Sequence, residues 1–346
     1  MIILGIETSC DETSAGLVCS DGRVLSNVVS SQIDIHSKFG GVVPELASRK
    51  HVQAILPVID EALSNASIKV TEIDGISVTQ GPGLIGALMI GVTSASAMGW
   101  ALNLPVVGVS HLRGHIMSVF LYRGSGRRDE EKYPQPPFPF VGLVASGGHT
   151  SLFFVESEEK ITLIGRTRDD AAGEALDKGA KILGLGYPGG PEIERCAGMW
   201  NGKSSLRFPR GLGRAKTLDF SFSGVKTALM MHIKDMKPEE VILRRNEICS
   251  SYQMAIVDAI VSKAVRACKK LNSKTLVATG GVLCNSILRR ELIIRSEEEK
   301  ISLFIPPHEF CTDNGAMIAI AGRKKLDSGV NELGYIKATP WLETIT

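Results

Sequence analysis

Two histidines, His111 and His115, stand four residues apart in SHLRGHIMSVF, so a helix there would project both imidazoles from one face toward a shared metal ion. Two ligands do not complete a site, and the intervening Leu112-Arg113-Gly114 lacks the glutamate of an HExxH protease. Peptide hydrolysis thereby loses its general base. The adjacent glycines of Ser146-Gly147-Gly148-His149-Thr150 would let backbone N–H groups approach an anion, although a tight turn with a left-handed residue would use them equally. Gly280-Gly281, ahead of a helical stretch, offers a second nest, because helix N-termini attract phosphate. Asp11 and Glu12 lie in a polar turn where a carboxylate could orient a metal-bound water or accept a proton, and where Asp is also simply a good turn residue. Arg207, Arg210, Arg214 and Lys216, with Phe208 at hand for stacking, form one basic run, and Arg289, Arg290 and Arg295 a second. RNA binding draws on such local charge and planar groups. The Arg127-Arg128 pair is followed by Asp129-Glu130-Glu131, which cancels it.

The elements that must position these residues follow from apolar periodicity. Residues 2–7, 15–19 and 24–29 read as a meander of strands, and 46–66 as a helix with Ala47, His51, Ile55, Val58, Ile59 and Ala62 on its apolar face. A strand at 75–79, a helix at 84–102 and a strand at 106–109 follow, and 123–139 is a charged, Gly- and Pro-rich linker. Beyond it the chain repeats itself. GIETSCDETSAGLV from Gly5 aligns without gaps on GLVASGGHTSLFFV from Gly142, and SVTQGPGLIG from Ser77 on VATGGVLCNS from Val277. Duplicated α/β lobes with a nucleotide cleft between them, on the actin/hexokinase/Hsp70 plan, are the expected fold. The expected division is 1–135, joined by about 325–346, and 136–324.

With 346 residues, 44% hydrophobic and 22% charged, the chain is neither disordered nor fibrous and is long enough for two lobes. A net charge of +2 means that any polyanion must be held locally. Gly or a charge interrupts each apolar stretch well short of the ~20 residues a membrane span needs, the start lacks a basic n-region, and the seven cysteines show no CxxC spacing. These features are read as a cytoplasmic protein with reduced thiols and no membrane partner.

In order, GIETSCDETS, GGVVPELASRKH, QGPGLIGALMIG, SHLRGH, SGGHT, ALDKGAKILGLGYPGGPEIE, FSFSGVKTA, TGGVLCN and CTDNGAMIA resemble the TsaD family of tRNA threonylcarbamoyltransferases across about residues 1–330. The resemblance implies an ASKHA-type fold and transfer of a threonylcarbamoyl group from threonylcarbamoyl-AMP to the exocyclic amine of adenosine 37 in tRNAs reading codons that begin with A. It adds Asp313 to His111 and His115 as ligand of one divalent metal, iron first and zinc second, where Asp313 alone would read as a helix N-cap. It also implies that Val144, Ala145, Ser146, Gly147, Gly148, Asp177, Gly190 and Asn285 bind the adenylate, with Asn285 one turn into its helix. Without the family, Asp177 would be a solvated helix residue paired with Lys181. Glu12 is the carboxylate considered for catalysis. Implied partners are tRNA, a TsaB-like paralogue and a TsaE-like ATPase, as in bacterial members; the 46–66 helix, with several exposed-type residues beside its apolar stripe, is a candidate docking surface. Alternatives are a small-molecule kinase of the same superfamily, a metalloprotease, and an ATP-binding regulator that transfers nothing.

Overall fold

The computed structural model describes residues 1–124, 134–202, 204–213 and 216–341, so Arg214 and the 127–131 charge run lie outside the described residues. The chain divides into two compact units, Met1–Pro136 with Glu158–Ile161 and Pro306–Thr346, and Pro137–Ser157 with Thr162–Ile305.

In the first unit β1 (Ile2–Glu7), β2 (Glu12–Cys19) and β3 (Val24–Ser31) form the antiparallel meander, joined by short polar turns. Helical crossovers then bring β4 (Gly75–Gly81) alongside β1 and β5 (Val106–Ser110) alongside β4, both in parallel, giving the order β3-β2-β1-β4-β5. Strand alternation divides the sheet's residues between two layers. Leu4, Ile6, Ala15 and Leu17 share a core with Ile55, Val58, Ile59 and Ala62 of the Pro44–Ala66 helix and Val92 and Ala95 of the Ile85–Leu102 helix. The six residues expected on the 46–66 helix are the six it buries. Gly5 and Gly16 meet the Gly315–Asp327 helix on the other face, where a Cβ on Gly5 would lie 2.0 Å from the Gly315 carbonyl oxygen and one on Gly16 2.3 Å from the Ala316 nitrogen. Only hydrogen fits there. Ser14 Oγ and Asn27 Oδ1 accept the first amides of that helix, from Gly315 and Ala316, so the residues just before it are held against the β1–β2 hairpin.

That packing moves the expected boundary. The return to the first unit comes at Pro306 rather than about 325, because the Gly315–Asp327 helix buries Ala316 through Ala321 against the first sheet. The Ile85–Leu102 helix also departs from expectation, having the length and mean hydropathy (1.5) of a membrane span. Its glycines do not shorten the apolar run, and Gly91 and Gly99 sit with Ala87, Leu88, Val92 and Ala95 on the buried face.

The second unit repeats the first. Its strands β6 (Phe140–Ala145), β7 (Thr150–Val155), β8 (Ile161–Arg166), β9 (Thr275–Thr279) and β10 (Ser302–Phe304) take the order β10-β9-β6-β7-β8, the same succession read from the other edge. The two sequence echoes are locked to one another by register. Gly5 of β1 pairs with Ser77 of β4, and Gly142 of β6 pairs with Val277 of β9, the residues that begin the aligned segments. Chance similarity of one hairpin would not carry over to the neighbouring parallel strand.

Candidate metal centre and nucleotide-binding turns

β5 runs directly into the short His111–Met117 helix, which places His111 and His115 one turn apart with ring centroids 4.7 Å apart and edge to face. Asp313 arrives from the loop before the Gly315–Asp327 helix, its Oδ1 3.6 Å from His111 Nε2 and 3.1 Å from His115 Nε2. One donor atom from each residue lies within 4.8 Å of the others. The helix N-cap is Asn314, whose Oδ1 accepts the Met317 amide, so Asp313 is left to face the histidines.

The three side chains suit a divalent ion. Glu7, at the end of β1, lies 3.0 Å from His111 Nδ1, which directs the ring's proton to that nitrogen and leaves Nε2 as a ligand. Both ring nitrogens of His115 are buried without an aligned hydrogen-bond partner, despite the short approach to Asp313. Two imidazoles and a carboxylate with open positions fit iron(II) or zinc. Burial opposes charge on His111, but the Asp313 and Glu7 carboxylates outweigh it and raise its pKa to about 9. Burial, with His111 as neighbour, lowers His115 instead, although Asp313 opposes this. Burial would raise Glu7, yet its pairing with His111 and the bond from Thr79 hold it below the usual carboxylate value.

The β1–β2 turn adds further carboxylates. Glu12 begins β2, and burial together with Asp11 pushes its carboxyl well above the ordinary range. Burial and Asp11 likewise keep Cys10 a thiol. Ser9 Oγ lies 3.2 Å from His111, but at the Nδ1 that Glu7 already occupies, so this is no Ser-His-acid relay. Sequence reasoning missed two residues. Glu7 looked like the polar end of a strand, and His51 like one more apolar-face position of its helix. His51 in fact bridges the turn, with Nδ1 2.8 Å from Thr13 Oγ1 and Nε2 2.9 Å from the Cys10 carbonyl. A histidine among aliphatic residues was the available signal for it.

In the second unit the Ser146–His149 turn closes β6 onto β7 through the Ser146 N–H and His149 carbonyl. Neither Gly147 nor Gly148 has positive φ, and a Cβ on either would meet nothing within 4 Å. Strain and crowding thus do not call for glycine there. The turn's carbonyls accept the amides of Gly173 and Glu174, and Gly280, at φ +102°, abuts the Ala145 carbonyl, so both glycine turns adjoin the end of β6. Val144 and Ala145 are fully buried in that strand, leaving only backbone to offer a ligand. Asp177 Oδ1 accepts from the amides of Gly189 (2.7 Å) and Gly190 (3.3 Å), which corrects its reading as a solvated helix residue. Asn285 is the N-cap of the Ser286–Glu298 helix and lies at its start instead of one turn in. It accepts from Leu288 and donates to Gln253. Phe208 is 3% exposed and packs edge-on against Tyr252 and His232, so it is not available for base stacking.

A family model described as TsaD, tRNA N6-adenosine threonylcarbamoyltransferase, matches residues 23–320. The chain belongs to that family. Curated relatives bearing the same name are 51% identical in Anaeromyxobacter dehalogenans strain 2CP-C (98% of each chain) and 50% in Syntrophus aciditrophicus (96% of this chain, 94% of the relative). Another in Thermosipho africanus is 46% identical over 99% of this chain and all of the relative. Among solved structures, HypF of T. kodakarensis aligns with TM-score 0.61 at 15% identity, over 96% of this chain and 48% of that one. Component A of the Acidaminococcus fermentans (R)-2-hydroxyglutaryl-CoA dehydratase gives 0.53 at 16%, over 94% and 99%. These likenesses carry the ASKHA-like fold alone. The relatives lend no support to the kinase, protease or regulator readings.

Proposed function

We propose that this chain, a TsaD-family enzyme, moves the threonylcarbamoyl group of threonylcarbamoyl-AMP onto the exocyclic amine of adenosine 37 in tRNAs reading codons that begin with A. The amine nitrogen bonds to the carbonyl carbon, the bond from that carbon to the phosphate oxygen breaks, AMP leaves with the electron pair, and the amine gives up a proton. Because the carbonyl arrives activated as a mixed anhydride, positioning and charge stabilisation suffice and no covalent enzyme intermediate is needed. The observation that carries this reading is full-length kinship at about half identity to curated members of the family, with a His-His-Asp cluster at the matching motifs.

His111, His115 and Asp313 would hold one divalent ion, iron(II) first and zinc second. Such an ion supplies Lewis acidity toward a donor oxygen. Glu7 orients His111, and Glu12 is assigned the proton from the attacking amine, supported by its raised pKa. Adenylate recognition is assigned to the second unit, to backbone of Val144, Ala145, Ser146, Gly147 and Gly148 and to Asp177, Gly190 and Asn285. The open space over Gly147 and Gly148 supports this, as does the Asp177 bond to the Gly190 turn. A TsaB-like paralogue is proposed to dock on the Pro44–Ala66 helix, whose outward face exposes Val52 and Leu56, with a TsaE-like ATPase as further partner and the cytoplasm as compartment. Incubating the chain with tRNA, threonine, bicarbonate, ATP and the partner proteins tests the function. Nucleoside mass spectrometry should find threonylcarbamoyladenosine, and unmodified tRNA with all components active would refute the reading.

A further inference from the structure

The second unit contains a cavity of about 500 Å³ that the proposed chemistry leaves unused. Its floor is one face of the Pro238–Lys270 helix, where Asp258, Ser262 and Arg266 recur every four residues with Lys263 beside them. Arg210 enters from the 208–213 segment and Arg295 from the Ser286–Glu298 helix, so two basic runs far apart in sequence meet around one hollow. A shallower cavity shares Arg266 and Arg295 and adds Lys269 and Glu299. Among the described residues, five cations thus face two carboxylates.

The innermost cation decides what the hollow is suited to. Lys263 is 1% exposed, and its ammonium donates to the Thr217 carbonyl at 2.6 Å. Among the described residues it forms no ion pair, and burial together with Arg266 holds it below the ordinary lysine value. Asp219 offsets this only in part, so an ammonium out of water beside a carbonyl and two guanidinium groups is poorly compensated until an anion reaches it. Asp258 occupies Arg210 through its Oδ2, and Arg295 lies 3.4 Å from Glu298 with more than half its side chain exposed. Both are partners a stronger anion could displace, since such exposed pairs contribute little.

We propose that this cavity takes a backbone phosphate of the substrate tRNA, with Lys263 as the deep contact and Arg210, Arg266 and Arg295 around the oxygens. The inference rests on the tRNA-modifying function proposed above. Donors converging from three chain segments match a tetrahedral, many-oxygened anion better than the flat carboxylate of an acidic protein, and guanidinium forks pair with phosphate.

The test is tRNA binding to the full chain across a salt series, followed by fluorescence anisotropy. Arg295→Glu should weaken binding at least tenfold and lower the log-log salt slope by about one. Asp258→Asn frees Arg210 and should tighten binding about threefold, a gain that damaged folding cannot produce. Lys263→Met should weaken binding, with its melting curve as the folding control. Unchanged affinity and slope in Arg295→Glu and Asp258→Asn would overturn the proposal. So would loss of pyrophosphate binding by calorimetry, or of a partner protein, with tRNA affinity intact, since the cavity would then serve free phosphate compounds or an acidic protein. A wild-type chain that neither binds nor modifies tRNA would sink the function itself, whereas one that modifies tRNA while the variants stay indifferent would sink this inference alone.

Discussion

Replacing Glu7 by glutamine changes one oxygen to an NH2 group in a site with no room for exchange, since Glu7 is 1% exposed. Its carboxylate serves three donors. Oε1 takes the Ser9 amide, while Oε2 takes the Thr79 hydroxyl at 2.6 Å and His111 Nδ1 at 3.0 Å. Glutamine has two placements, and each fails differently. With NH2 toward Ser9, two N–H groups oppose one another and a buried donor is orphaned, at a cost to stability of about 1–3 kcal/mol. With NH2 toward His111, the Thr79 hydroxyl can turn to accept, but His111 must then accept at Nδ1 and carry its proton on Nε2. That nitrogen can no longer bind metal. Loss of such an outer carboxylate costs ~10- to 100-fold in metal affinity, about 1.4–2.8 kcal/mol. Competition against a chromophoric zinc chelator measures this, with calorimetric melting of the metal-free protein alongside. Zinc affinity within twofold of wild type and an unchanged melt would refute the assignment of Glu7 as the residue that orients His111.

His111→Ala or His115→Ala should strip the bound metal and abolish transfer, checked by metal mass spectrometry alongside activity, and a metal-replete active double variant would remove the site. Gly148→Val should leave the melting curve within about 0.5 kcal/mol of wild type, because nothing lies over it and its φ is ordinary. Its adenylate affinity by calorimetry should nevertheless fall at least tenfold, about 1.4 kcal/mol. Burial holds His51 below its ordinary pKa of 6.5, so the unfolded chain takes a proton that the folded one refuses. Stability should decline as pH falls below 6.5, and His51→Gln should flatten that decline in a pH series of melts. Asp177→Ala frees the Gly189 and Gly190 amides and should cost about 1–3 kcal/mol of stability together with adenylate affinity, whereas Asp177→Asn, which keeps the acceptor oxygen, should cost less by the same melts and calorimetry.

What the sequence makes legible here is what depends on neighbours along the chain. The buried stripe of the Pro44–Ala66 helix follows from 3.6-residue spacing, and both echoes align residues that the sheets then place at matching register. His111 and His115 are one helical turn apart for the same reason. Contacts across long separations are not readable in that way. Glu7 reaches His111 only because β1 and β5 flank β4, and the close approach at Gly5 and Gly16 brings Asp313 to them from the far end of the chain. Phe208 sits among charges in sequence, but burial against Tyr252 decides its role. From sequence Asp313 reads as the cap, and only the bond from the Met317 amide gives that role to Asn314 instead.

The most direct test of the central claim is a single-turnover reaction of metal-loaded chain with threonylcarbamoyl-AMP labelled in its threonine and a tRNA carrying adenosine at position 37. The account predicts that label enters the tRNA in step with AMP release, one for one, and that an otherwise identical tRNA with guanosine at that position takes none. AMP release without labelled tRNA, or label transfer indifferent to the base at position 37, would contradict it.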